Sequence, residues 1–229
     1  MAARSVRLAL FDIDGTLRRL RDPWRHLHRH LGLADQAKDF LVCWQRGEIT
    51  YEQWADLDSL LWCGCTRQAM VAALETNPLR AGARELTGWF TSRSVPCVGI
   101  STGLSIFNDI TARELGFAEV ISNVLHFEGD TCKGAVSVLV REDNKAEIMD
   151  AVLERYSVRS EHVVAFGDGT ADIPLLTKAG LGVAICPKNE RVRAYAAHVV
   201  EEPIDSAIAI VEKHFPAMQF DGLSPGDKP

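Results

Sequence analysis

The sequence predicts an α/β protein: a parallel sheet with helices on both faces, and a small helical cap inserted after the first strand. Two observations carry this. Short apolar runs at residues 6–11 (VRLALF), 95–100 (VPCVGI) and 163–166 (VVAF) alternate with helical periodicity. Apolar runs of this kind, bounded by turn residues, mark strands buried on both faces, as in parallel sheets. Residues 18–77, between the first strand and the next α/β unit, carry helical periodicity alone and four of the five tryptophans.

The elements follow in order. The first strand is expected at residues 6–11. Trp24, Leu27 and Leu31 recur at helical spacing and stop at Gly32. A second helix is expected at 35–46, ending at Gly47. A third starts at Thr50, where Gln53 is placed for a capping box. A fourth starts at Thr66 and runs toward Glu75, and Asn77-Pro78 closes the insertion. Helices are then expected at 81–91, 104–115, 145–155, 171–178, 191–197 and 205–215. Strands are expected at 95–100, 163–166, 182–185 and 198–200. Residues 118–127 and 134–140 read as a β-hairpin around Glu128-Gly129-Asp130. The domain reading is a core of residues 1–17 and 78–220, a cap of residues 18–77, and a Pro/Gly-rich disordered tail at 221–229.

The 229 residues suit one α/β domain with an insertion, and the 47% hydrophobic content is enough for a core. The net charge of −6 argues against a general nucleic-acid binder, which would need clustered Lys and Arg to neutralise phosphates. The apolar run before Asp12 is too short for a secretory signal, and no stretch approaches the roughly 20 residues of a membrane span. The protein therefore reads as cytoplasmic, and its six scattered cysteines as reduced bystanders.

In open parallel sheets, ligands bind beyond the carboxyl ends of the strands. Those ends carry Asp12-Ile13-Asp14, Ser101-Thr102-Gly103 and Gly167-Asp168-Gly169. Two carboxylates as close as Asp12 and Asp14 repel each other unless a cation or a proton lies between them. Asp168 also follows an apolar strand. If the two strands are neighbours, their carboxylates converge into a hard-oxygen site that suits Mg2+. Each remaining residue has a plainer alternative. Asp172 suits the start of a helix, Ser101 a helix N-cap, and Lys145 a solvated surface. The histidines of HLHRH (His26, His28, His30) read as an exposed cap helix face, and Trp44, Trp54 and Trp62 as cap packing.

The order of these pieces bears on the choice. DIDGTL, a strand ending in Ser101, Lys145 opening a later helix, and GDGTAD resemble the four motifs of the haloacid dehalogenase superfamily of phosphohydrolases. The likeness extends from about Val6 to Val200. The helical insertion after the first motif is similar to the cap of the phosphoserine-phosphatase-like subfamily. The resemblance implies a Rossmann-like core and a Mg2+-dependent phosphatase acting through an aspartyl-phosphate. Asp12 would be the nucleophile and Asp14 the general acid and base. Ser101, Thr102, Gly103 and Lys145 would hold the phosphoryl group. Asp12, the carbonyl of Asp14 and Asp168 would bind Mg2+, with Asp172 orienting the metal's ligands or waters. Halide displacement needs no general acid, so Asp14 favours phosphate ester hydrolysis. A phosphotransferase or phosphomutase sharing the same intermediate is an alternative, as is a non-catalytic binding protein of the same fold.

Phosphoserine phosphatases usually place an acidic residue shortly after the first motif for the substrate ammonium. Here that stretch carries arginines. The substrate is therefore expected to be a small phosphorylated metabolite with a second anionic group met by Arg18, Arg21 or Arg46. The alternative is that these arginines are solvated. No nucleic-acid or membrane partner is expected, and the chain reads as a monomer or homodimer.

Overall fold

In the computed structural model, which describes residues 5–216, β1 (Leu8–Phe11) lies near the centre of a seven-stranded sheet. The other strands are β2 (Cys97–Leu104), β3 (Glu119–Glu128), β4 (Thr131–Ser137), β5 (Val163–Gly167), β6 (Leu181–Ile185) and β7 (His198–Val200), in the spatial order β4-β3-β2-β1-β5-β6-β7. All neighbours are parallel except β3 and β4, which form the expected hairpin. Gly129 takes φ +58 in its turn. The expected tail at 221–229 lies outside the described residues.

Successive side chains of a strand point to opposite faces, and β1 serves a core on each. Ala9 and Phe11 join Phe90, Phe166 and Val183 under α5 (Ala83–Thr91) and α10 (Ala207–His214). Leu8 and Leu10 join Val98, Met149 and Leu175 under α7 (Lys145–Arg155) and α8 (Ile173–Lys178). Phe11 stacks on Phe166, its registered partner in β5, with ring centroids 4.6 Å apart. The strand order branches at β1, with β2 on one side and β5 on the other. Asp12, Ser101 and Asp168 are thereby brought to one edge of the sheet.

Between β1 and α5 lie α1 (Pro23–His30), α2 (Ala34–Gln45), α3 (Tyr51–Leu60) and α4 (Arg67–Val71). Their boundaries follow local chemistry. Asp22 Oδ1 accepts from Arg25 N at the start of α1, and Gly32 (φ +72) follows its end. Thr50 and Gln53 form the expected capping box, and Thr66 caps α4. These helices share their core with the sheet. Trp24, Leu27, Trp54, Trp62 and Met70 pack with Leu104 of β2, Phe107 of α6 (Ser105–Leu115), and Leu125 and Cys132 of the hairpin. Backbone bonds from Gly64 N to Cys132 O and from Cys132 N to Cys65 O tie the insertion to β4. All six cysteines are free thiols.

Two expectations are corrected. The strand expected to end at Ile100 continues to Leu104, with an irregularity against β3 between Ile100 and Leu104. Ser101, Thr102 and Gly103 thus lie within β2. The HLHRH segment is not an exposed face throughout: His28 is 1% exposed. It points inward because it lies one residue after Leu27, on the flank of the apolar stripe, and packs against Trp62 with the rings tilted.

Close packing behind the sheet predicts two opposite glycine substitutions. A Cβ on Gly182 of β6 would lie 2.0 Å from the main-chain oxygen of Leu176, whereas one on Gly88 of α5 meets nothing within 4 Å. Gly182→Ala is expected to lower the unfolding free energy by about 2 kcal/mol or more through overpacking. Gly88→Ala is expected to raise it by about 0.5–1 kcal/mol through helix propensity. Urea unfolding of both variants checks the pair.

Candidate active site

Asp12 leaves the end of β1 with its main-chain N–H bonded to Phe166 O of β5 at 2.9 Å. Its side chain turns into a buried group of four carboxylates, Asp12, Asp14, Asp168 and Asp172, each no more than 8% exposed. Lys145, the first residue of α7, reaches this group from the neighbouring helix. Its Nζ donates to Asp12 Oδ1 at 2.7 Å and to Asp172 Oδ1 at 2.6 Å. Burial alone would discharge this lysine. The two carboxylates outweigh burial, raise its pKa and hold it charged.

The other contacts divide the carboxylates by role. Thr16 Oγ1 lies 2.9 Å from Asp12 Oδ2 and 3.1 Å from Asp168 Oδ1, so its single hydroxyl proton can serve either oxygen. Ser101 Oγ donates to Asp14 Oδ2 at 2.8 Å and accepts from Gly103 N at 2.9 Å. Ser101 is therefore not the N-cap of α6. Asp172 Oδ2 accepts from the main-chain N–H groups of Asp168 and Gly169, at 3.0 and 2.9 Å. Asp172 thus fixes the loop after β5 with one oxygen and Lys145 with the other.

Space is as tightly allotted as charge. Gly15 sits at φ +95, and a Cβ there would lie 2.5 Å from both carboxylate oxygens of Asp168. A Cβ on Gly103 would lie 2.2 Å from Asp14 Oδ2. Arg80 donates through Nε and Nη2 to Gly15 O, at 2.9 and 2.7 Å, and locks the loop after β1.

Burial and repulsion raise the pKa values of Asp12, Asp14 and Asp168. Asp12 rises from 3.8 to about 6 because of burial and the charge of Asp172, against the pull of Lys145. Asp14 rises to about 7 because of burial and the charge of Asp12. Asp168 rises well above the ordinary range for the same reasons, burial first and then Asp12 and Asp172. Four carboxylates against Lys145 and Arg21 leave a formal charge of −2 when all are ionised. Asp12, Asp168 and Asp172 each offer an oxygen within 4.8 Å of the others. This donor set, all hard oxygen with a two-charge deficit, fits a divalent cation of the Mg2+ type. The Asp14 carboxylate is turned to Ser101, which leaves its main-chain carbonyl as the oxygen it could offer.

The arginines expected to meet a second substrate anion have different surroundings. Arg18 is 6% exposed and fully engaged. It donates to Thr111 Oγ1, Asn77 O and Glu114 Oε2 at 3.0, 2.8 and 2.5 Å, clamping the first loop to α6. Arg46 lies on the surface after α2, 3.9 Å from Glu48. Arg21 alone of the three reaches the carboxylate group. Its Nη1 lies 3.0 Å from Asp168 Oδ2, and its Nη2 donates to Cys186 O at 2.6 Å. Thr16 and Arg80 were not singled out as site residues by sequence reasoning. Thr16 lies within the DIDGT stretch and could have been found there. Arg80 carries no local signal, because its role depends on where residue 80 meets the first loop.

Residues 9–177 match the family of haloacid dehalogenase-like hydrolases. The chain is similar to a phosphoserine phosphatase of Archaeoglobus fulgidus, with 27% identity over 186 residues, covering 81% of this chain and 54% of that protein. It thus spans about half the length of that relative. A phosphoserine phosphatase of Methanocaldococcus jannaschii is 26% identical over 81% of this chain and 88% of its own. Among solved structures, a phospho-aspartyl intermediate analogue of phosphoserine phosphatase superposes with a TM-score of 0.74 at 24% identity, covering 91% of this chain and 100% of that one. This last likeness is one of fold.

Two predictions follow from the charges. An acid whose pKa is raised on folding stabilises the fold below its ordinary pKa, and that contribution is lost as pH rises through the folded value. The melting temperature of the metal-free protein is therefore expected to fall between pH 5 and pH 8, and to fall less in Asp14→Asn. Mg2+ at about a hundredfold excess over its Kd is expected to restore about 5–10 °C at pH 8 and much less at pH 5. Thermal melts with Mg2+ or EDTA check this; an equal Mg2+ effect at both pH values would contradict it. For the arginines, Arg18→Met is expected to cost about 2–4 kcal/mol of stability and Arg46→Ala less than about 0.5 kcal/mol, measured by urea unfolding.

Proposed function

Because the chain belongs to the haloacid dehalogenase-like hydrolase family, we propose that it is a Mg2+-dependent phosphatase of a small-molecule phosphomonoester. The observation that carries this reading is the unequal environment of two adjacent carboxylates. Asp12 is held by a charged lysine, while Asp14 is held by a serine hydroxyl and keeps its proton to about pH 7. The curated relatives, named as phosphoserine phosphatases, support the reaction class.

The roles follow from those environments. Asp12, the one held by the ammonium, attacks phosphorus and forms an aspartyl-phosphate as the bond from phosphorus to the leaving oxygen breaks. Asp14 gives its proton to that oxygen, so the product leaves as an alcohol. The Asp14 carboxylate then takes a proton from a water that attacks phosphorus. The bond to Asp12 breaks, and inorganic phosphate is released. Lys145 and Ser101 line the two sides of this centre and would donate to the phosphoryl oxygens, as would the main-chain N–H groups of Thr102 and Gly103.

Asp12, Asp168 and the carbonyl of Asp14 would hold Mg2+, and Asp172 would keep Asp168 and Lys145 in place. When bound, the cation supplies charge neutralisation for the phosphoryl oxygens beside the carboxylates. We read the helical layer α1–α4 as the cap that covers this edge of the sheet and excludes water from it.

The test is phosphate release from a panel of phosphomonoesters with Mg2+ or EDTA. The panel spans phosphoserine, sugar phosphates, phosphoglycerate-type acids, nucleotides and 4-nitrophenyl phosphate. Release is expected to need Mg2+ and to fall by at least about 10³-fold in Asp12→Asn. Asp14→Asn is expected to lose about 10²–10⁴-fold on alkyl phosphates. Its loss on 4-nitrophenyl phosphate should be smaller, since that leaving group needs little help from an acid. Equal losses on both substrates would remove the acid role from Asp14. Transfer to an added alcohol without net release would make the protein a phosphotransferase.

A further inference from the structure

Two cations reach the carboxylate group, Lys145 and Arg21, and the phosphatase chemistry above uses only the first. Arg21 Nη1 lies 3.0 Å from Asp168 Oδ2, and its Nη2 donates to Cys186 O at 2.6 Å. The fold accommodates this guanidinium in two ways. Gly15 has no side chain where the arginine stem passes, and a Cβ there would lie 2.7 Å from Arg21 Cγ. Cys186, in the loop after β6, offers its carbonyl from a backbone with φ +43. That left-handed conformation is rare outside glycine, and such conformations gather at functional sites. Arg21 is thus a built part of the centre and not a solvated charge beside it.

Its partner is a residue that a divalent cation would need. Asp168 is one of the three carboxylates with oxygens within 4.8 Å of one another. A guanidinium on such a carboxylate can act on a metal in two opposite ways. It can orient the ligand, which raises metal affinity. It can also repel the metal, which lowers affinity. Orientation is already supplied by other groups. The main-chain N–H of Asp168 donates to Asp172 Oδ2, Thr16 Oγ1 lies 3.1 Å from Asp168 Oδ1, and Gly15 packs against both oxygens too closely to leave room for a Cβ. Repulsion has no such substitute. Asp168 is buried and Arg21 half-buried, so solvent and salt screen the pair only in part.

We infer that Arg21 is a resident counter-cation of the metal site, which weakens Mg2+ binding at Asp168 and strengthens the hold of the loaded centre on a phosphate dianion. The charges require the two effects together. Four ionised carboxylates with Lys145 and Arg21 leave a formal charge of −2, which Mg2+ brings to zero. Without Arg21 the same centre would draw Mg2+ with −3 and meet phosphate with −1. This rests on the Mg2+ reading above. It gives Arg21 the metal as its counterpart, in place of the second substrate anion expected from the sequence.

The test measures binding, without turnover. Mg2+ alone is titrated by calorimetry into the wild type and into Arg21→Met, which keeps the stem and removes the charge, at about pH 8 and low salt. Inorganic phosphate is then titrated into each protein at saturating Mg2+. Arg21→Met is expected to bind Mg2+ about tenfold or more tightly than the wild type, and phosphate about tenfold or more weakly. Arg21→Lys, which keeps a charge, is expected to fall nearer the wild type for both ligands. A role for Arg21 in orienting Asp168, or in holding the loop together, would weaken both ligands in Arg21→Met. Any pairing other than tighter Mg2+ with weaker phosphate overturns the inference. If the wild type and the variant both bind Mg2+ and with equal affinity, the inference alone fails. If neither binds it, the metal reading fails and the inference with it. Should Arg21→Met not fold, Arg21→Gln carries the same comparison.

Discussion

The ammonium of Lys145, held between Asp12 and Asp172, is the interaction on which the rest of this edge depends. β1 and β5 are parallel neighbours in register, so the residues that follow them must converge. In this sequence both followers are aspartates. The sheet topology thus forces negative charges together, and something must offset them. Lys145 does so from the start of α7, whose Met149 and Val152 are buried against the sheet. Apolar packing fixes the helix, the helix fixes the ammonium, and the ammonium makes the strand ends tolerable. The glycines follow from the same crowding. At Gly15 and Gly103 a methyl group would occupy the space of a carboxylate oxygen.

Two cations, Lys145 and Arg21, against four carboxylates do not restore balance. The remainder is expressed as raised proton affinity, most clearly at Asp14, which has a hydroxyl for a partner rather than a lysine. A protein selected only for stability would gain by replacing such groups. Their retention makes sense as chemistry. Asp12 is held by an ammonium and Asp14 by a hydroxyl, and these unlike surroundings suit the division of attack and proton transfer proposed above. A divalent cation would serve the same centre, since it takes the place of protons on the oxygens that remain.

Much of this was legible in the sequence, for physical reasons. Buried parallel strands are short continuous apolar runs, so β1, β5 and β7 fall within a residue or two of their expected positions. Side-chain caps act within three residues, so Thr50, Gln53 and Thr66 could be placed by eye. The end of β2 was misjudged because Ser101-Thr102-Gly103 has a turn-like composition, while its extended backbone is set by β3 and by the contact of Gly103 with Asp14. The inserted segment was legible as helices but not in its interior. His28 and Asp58 are 30 residues apart on different helices, and only their packing around Trp62 and Trp54 makes them neighbours. Arg18 shows the reverse case. It looks like a substrate-facing charge in sequence, yet Glu114, Thr111 and Asn77 take up its whole guanidinium.

The consecutive residues Arg21 and Asp22 connect the carboxylate group to the inserted helices. Arg21 turns toward Asp168 and the main chain at Cys186. Asp22 turns the other way and caps α1 through Arg25 N. The first inserted helix therefore starts from a residue anchored next to the carboxylate group, and Pro23 at its first position fixes its direction. Trp24 adds a second anchor at Thr102 O on β2. With both ends of this short segment bound to the edge that carries the carboxylates, the start of α1 is fixed by the sheet. The start of α1 and the edge that carries the carboxylates are thus held at a fixed separation.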